Sequence, residues 1–121
     1  MIKDEKPFGD IESQGSLNNN ISKPTILALT QVFKALSDPT RINIIYFLSI
    51  SDELSVGDIA VKIGLTSSAA SYQLRFLENL GLVRARIEKN AKLYSLYDNE
   101  VKKGIKLMFK HQRIFNQQKL T

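Results

Sequence analysis

One stretch, residues 55–98, restricts the fold more than any other part of the chain. It reads SVGDIAVKIGLTSSAASYQLRFLENLGLV and then RARIEKNAKLYSLYD. Ser55 and Asp58 have the spacing of a capping box, in which a hydroxyl accepts from the first turn of a helix and a carboxylate reaches back. Leu54 and Ile59 fit the hydrophobic staple around that cap, and Ile59 and Ile63, with Val56, face inward. Gly64 suits the left-handed position that ends a helix, where a Cβ would be costly. Only Leu65 and Thr66 separate it from the next helical pattern, with Thr66 as N-cap. That second helix buries Ala70, Leu74, Leu77 and Leu80 and turns Ser67, Ser68, Ser71, Tyr72 and Arg75 outward, with Gly81 as its C-cap. Two short helices with a glycine at the corner form a helix-turn-helix.

After Gly81 the period changes. Leu82 to Arg86 and Lys92 to Leu96 alternate as strands, and Glu88-Lys89-Asn90-Ala91 is the turn, with Asn90 able to take a positive φ. The hairpin is basic, through Arg84, Arg86, Lys89 and Lys92. A basic hairpin directly after a helix-turn-helix is the winged arrangement.

The flanks supply the core and an outer surface. Ile26, Leu29, Val32, Phe33 and Leu36 recur at helical spacing from Thr25 onward. Ser37-Asp38-Pro39 ends this helix and starts another, with Asp38 as N-cap and Pro39 at the first helical position, where its missing N–H costs nothing. The second helix, to about Ser51, is apolar on much of its circumference through Ile44, Ile45, Phe47 and Leu48, and reads as the central core helix. Asp98 caps a last helix to about Gln117, on which Val101, Ile105, Met108, Gln112 and Phe115 make a stripe suited to helix pairing. Residues 1–24, punctuated by Pro7 and Pro24, are expected to be a flexible N-terminal arm. Residues 25–121 then form one domain, mainly α, of about five helices plus a two-stranded β hairpin wing.

Charge points to the partner. The chain has a net charge of +5, yet its first 24 residues carry three Lys against four carboxylates, so the surplus sits in the domain. A basic domain of this size has nucleic acid as its leading candidate ligand, against the plainer reading of a solubilising surplus. Small residues at the start of the second helix allow close approach to a major groove. Ser hydroxyls and backbone N–H groups can then reach phosphates or base edges. Ser67, Ser68, Ser71, Tyr72 and Arg75 are the candidate contacts on the helix, with Gln73 beside Tyr72 also able to reach a base edge or sugar; Arg84, Lys89 and Lys92 are those of the wing. The alternative for the serines alone is ordinary capping of a surface helix.

Other classes are poorly served. There are no cysteines and one histidine, no Gly-rich phosphate loop and no nucleophile–base pair, so an enzyme is not expected. No apolar run approaches the roughly 20 residues of a membrane span. The lack of cysteine fits a reducing cytoplasm, the expected location.

From about residue 32 to 105 the chain resembles the ArsR/SmtB family of winged-helix transcriptional repressors. The resemblance is carried by FKALSDPTRINIIYFL (33–48), ELSVGDIA (53–60), and SSAASYQLRFLENLGLV (67–83) with its wing and YSL. It implies a homodimer that binds a palindromic operator in double-stranded DNA and is released by an inducer, often a metal ion. It places Ser67, Ser68, Ser71 and Tyr72 in the base-contacting helix, although many members have His at the position of Tyr72. One family metal site uses a Cys-x-Cys pair; those positions here are Ser55 and Gly57, so no thiolate site can form. The other bridges the last helices of the dimer and falls on Asp98, Glu100, His111 and Ile114. Three of these could hold a divalent ion such as zinc, while the fourth is lost. Three readings stay open: an operator-blocking repressor with degraded metal sites, a metal-responsive repressor using the residual C-terminal set, and a winged helix that binds protein rather than DNA.

Overall fold

The computed structural model describes residues 20–120. Its elements are α1 (Lys23–Ala35), α2 (Pro39–Ser49), β1 (Leu54–Ser55), α3 (Val56–Ile63), α4 (Ser67–Asn79), β2 (Val83–Glu88), β3 (Ala91–Leu96) and α5 (Asn99–Leu120). The chain divides into two units, 1–34 and 35–121. The expected arm lies almost wholly outside the described residues.

In the first unit, α1 begins two residues before Thr25. Ser22 Oγ accepts from the Thr25 N–H at 3.3 Å, so Pro24 falls inside the first turn rather than outside the helix. A proline fits there because that turn has no N–H partner to lose. Leu27, Leu29 and Phe33 remain exposed.

In the second unit the N-caps and the two helix-ending glycines have their structural counterparts. Asp38 Oδ2 accepts from the Arg41 N–H at 3.0 Å, with Pro39 opening α2. Ser55 Oγ accepts from Asp58 N, and Thr66 Oγ1 from Ala69 N, both at 3.1 Å. Gly64 and Gly81 end α3 and α4 at φ of 80° and 75°, a region that disfavours any side chain. The sheet adds something the sequence reading lacked. β1 pairs antiparallel with β3, giving a three-stranded sheet in the order β1-β3-β2. Two residues before a helix show no alternation, so only their partner strand reveals them.

The core lies between α2 and the helices and sheet around it. Ile44, Ile45 and Leu48 of α2 are fully buried, as are Ile59 of α3, Ala70, Leu74 and Leu77 of α4, and Tyr94 of β3, with Val83 of β2 almost so. Each such large apolar side chain contributes about 1.5–3 kcal/mol by leaving water. Leu80, placed in the buried stripe of α4 by its spacing, is only half-buried because it is the C-cap residue. Ile105 anchors α5, but the stripe stops contributing there. Met108, Gln112 and Phe115 are exposed.

Candidate nucleic-acid interface

The α3–α4 corner and the hairpin carry the candidate contact residues. Helix α4 turns Ala70, Leu74 and Leu77 fully inward, so its opposite face is set by the roughly 100° step per residue. That face carries Ser68, Tyr72 and Arg75, all exposed, with Tyr72 60% accessible. Ser67 is exposed at the N-terminus and Ser71 is half-buried on one flank. The Thr66 cap leaves part of the first turn's N–H groups open to an anionic oxygen.

The wing is a tight hairpin. Lys89 and Asn90 both take positive φ, 50° and 69°, and β2 meets β3 in full register from Val83↔Leu96 to Glu88↔Ala91. A two-residue loop of this kind matches the twist of its strands. It sets Lys89 at the tip with Lys92 beside it, both exposed. Arg84 sits at the far end of β2, where its guanidinium lies over the Tyr97 ring, 4.8 Å from the centroid. The three wing cations are therefore not equivalent: two are at the tip and one is at the base.

A fourth wing cation is committed elsewhere. Arg86 makes a bidentate pair with Glu53, Nε to Oε2 at 2.6 Å and Nη2 to Oε1 at 2.8 Å, and reaches Glu88 at 3.0 Å. These hydrogen bonds hold the Glu53 carboxyl below its ordinary range and raise the Arg86 guanidinium further. The pair spans the middle strand and joins the wing to the residue just before β1. Sequence reading missed it, because 33 residues separate the partners. It also missed Arg41, whose side chain bonds the Ala35 carbonyl and Gln73 of α4.

The candidate metal ligands do not converge within one chain. Asp98 and Glu100 stand at the start of α5, and His111 is 13 residues beyond Asp98, about 20 Å along a helix. Asp98 Oδ1 accepts from Val101 N at 2.9 Å as a cap, and His111 stacks on Phe115 with centroids 6.0 Å apart. Among the described residues no three His, Cys, Asp or Glu side chains gather. With Ile114 in the fourth position, the donor set of one chain does not fit a metal centre.

Among the described residues no helix is long and apolar enough to cross a membrane. Known proteins place the surface in context. The family model of bacterial regulatory proteins of the arsR family matches residues 38–85, from the α2 cap into the wing. The chain is 43% identical over 94 residues to a cadmium resistance transcriptional regulatory protein CadC homolog of Staphylococcus aureus, covering 78% of each. The structure of HlyU from Vibrio cholerae superposes with a TM-score of 0.66 at 32% identity, covering 73% of this chain and 95% of that one. A homodimeric winged helix-turn-helix DNA-binding domain from Mycobacterium bovis, solved by solution NMR, gives 0.68 at 26% identity, covering 84% and 93%. On this family match and this similarity, the chain belongs to the ArsR family of winged helix-turn-helix DNA-binding transcriptional regulators.

Proposed function

We propose that the protein is a homodimeric, operator-blocking repressor, held together through α1 and α5 and reading two half-sites of a palindrome with its paired α4 helices. The observation that carries this is the face of α4, a helix capped by Thr66, where Ser67, Ser68, Tyr72 and Arg75 are exposed and Ser71 is half-buried beside them. Polar groups exposed on such a face are available to base edges and phosphates. Lys89 and Lys92 at the wing tip contact the flanking backbone, and Arg84 supports the wing base. Two half-sites one DNA turn apart follow from the two-fold symmetry of a dimer. The exposed apolar residues of α1 and α5 supply its interface, as the homodimeric relative suggests. A DNA-binding regulator of this kind works in the cytoplasm.

The test is a footprint and gel-shift titration on duplexes that the wild-type protein selects from a random pool. Protection of a two-fold symmetric site, with salt-sensitive affinity, is the expected result. Binding to protein without any duplex DNA affinity would instead support the protein-interaction reading.

Metal control is the second reading, prompted by the cadmium resistance name of one relative. With no cysteine in the chain, it falls to Asp98, Glu100 and His111, brought together only across a dimer. Titrating zinc, cobalt, nickel and manganese into the operator complex tests it. Release that disappears in His111→Ala supports a metal-responsive repressor; no release leaves control to another signal.

A further inference from the structure

One guanidinium joins three segments around α4. Arg41, in the first turn of α2, donates from Nε to the carbonyl of Ala35 at 2.9 Å, the last residue of α1. It donates from Nη1 to Gln73 Oε1 at 3.1 Å. Its Cζ lies 4.5 Å from the centroid of the Phe76 ring. The Asp38 cap holds its backbone N–H, so the side chain starts from a fixed point. A guanidinium has no acceptor, so the atom facing it on Gln73 must be the carbonyl oxygen.

The placement of these contacts matters more than their number. Gln73 and Phe76 are three residues apart, neighbours on one side of α4. That side lies between the buried stripe of Ala70, Leu74 and Leu77 and the outward face of Tyr72 and Arg75. The stripe is aliphatic, and apolar burial has no preferred direction. A hydrogen bond and a cation–π contact do have direction. Two such attachments one turn apart oppose both rotation of α4 about its axis and sliding along it.

We infer that Arg41 is a positioning residue for operator recognition: by holding Gln73 and Phe76 it sets the rotation at which α4 presents Ser71 and Tyr72 to base edges. This rests on α4 being the reading helix. It gives Gln73 a role inside the protein rather than at the DNA, and makes Arg41 act without touching DNA itself.

Lysine separates this role from a simple phosphate contact. Arg41→Lys keeps the charge, but one ammonium cannot bond the Ala35 carbonyl, bond Gln73 and sit over the Phe76 ring together. The experiment compares the wild type, Arg41→Lys, Gln73→Met and the double variant. Each is measured on the operator selected by the wild type and on an unrelated duplex of equal length, across salt, with thermal midpoints alongside. Arg41→Lys and Gln73→Met should each lower operator affinity about tenfold, as for one lost base contact. Unrelated-duplex affinity and the salt slope should stay near wild type. The double variant should be no weaker than Arg41→Lys alone, because both break one link. Selection repeated with Arg41→Lys should return altered base preferences. The inference is overturned if Arg41→Lys binds the operator as the wild type does, if the two losses simply add, or if affinity only follows the thermal midpoint. If the wild type itself does not distinguish operator from unrelated duplex, the reading-helix assignment fails first and this inference with it.

Discussion

Helices α4 and α5 each present a face to solvent, and the two faces are chemical opposites. On α4 the outward residues are hydroxyls, a phenol and a guanidinium: Ser67, Ser68, Tyr72 and Arg75. On α5 from Leu107 onward they include Leu107, Met108, Ile114 and Phe115, 43–64% exposed in the single chain. The first face is at ease in water and gains from a polyanion. The second loses free energy in water and gains only by meeting another apolar surface. The same fold therefore carries two partner codes, one written in hydrogen-bonding groups and one in apolar area. Substitutions on the two faces should separate DNA reading from assembly.

The largest effect is expected on α5. Met108→Glu with Phe115→Glu should convert the proposed dimer to monomer in sedimentation velocity at micromolar concentration. The thermal midpoint of the monomer should change little, since neither side chain is in the core of one chain. Operator affinity should fall at least about a hundredfold, because two half-site contacts lose their effective concentration. A protein that stays dimeric with this pair of charges would move the interface elsewhere.

Next comes α4. Ser71→Ala with Tyr72→Ala should lower operator affinity about ten- to a hundredfold, as expected for lost base contacts. The helical circular dichroism and the sedimentation of the dimer should be unchanged. Equal operator affinity in a gel shift would remove both residues from the contact set. The wing gives a smaller and different signature. Lys89→Ala with Lys92→Ala should reduce the slope of log affinity against log salt by about 2, near 0.9 for each phosphate released. An unaltered slope would place the wing tip away from the backbone.

The sequence was informative wherever a signal is local. Asp38, Ser55, Thr66 and Asp98 cap their helices as their spacing implied, and Gly64 and Gly81 take the left-handed positions. Ala70, Leu74 and Leu77 are buried because a helix repeats its face every three or four residues. The features that stayed hidden are non-local. β1 exists only because β3 pairs with it. Arg41 and Gln73 are 32 residues apart, and Arg86 and Glu53 are 33 apart. In both pairs a long side chain bridges elements whose spacing no periodicity encodes. The turn was half legible: Asn90 invited a positive φ, whereas Lys89 shares it only because the two-residue loop demands it. Tyr94 was hidden in another way. Alternation placed it in a strand, yet its ring is fully buried and its hydroxyl has no hydrogen-bond partner among the described residues.

The smallest effect sharpens what the wing offers DNA. Arg86 lies between Lys89 and Arg84 in the chain, but Glu53 and Glu88 occupy its guanidinium. Glu53 has its pKa lowered, chiefly by the hydrogen bonds from Arg86. A depressed carboxyl stabilises the fold fully above its unfolded pKa, about 4.3, and that contribution is lost as pH falls through the lower folded value. At neutral pH the brace is therefore intact and insensitive to small changes of pH. Glu53→Gln should lower the thermal midpoint at pH 7 by only about one to three degrees, since the pair is solvent-exposed. The difference from wild type should fade in acid below the ordinary glutamate range. The same change releases part of the Arg86 charge. Affinity for unrelated duplex DNA should then rise, and the salt slope should steepen by up to about 0.9. Operator affinity should rise less, so the preference for operator over unrelated DNA narrows. If neither slope nor preference moves, Glu88 alone is enough to keep Arg86 from the phosphates, and the wing reads DNA through its tip.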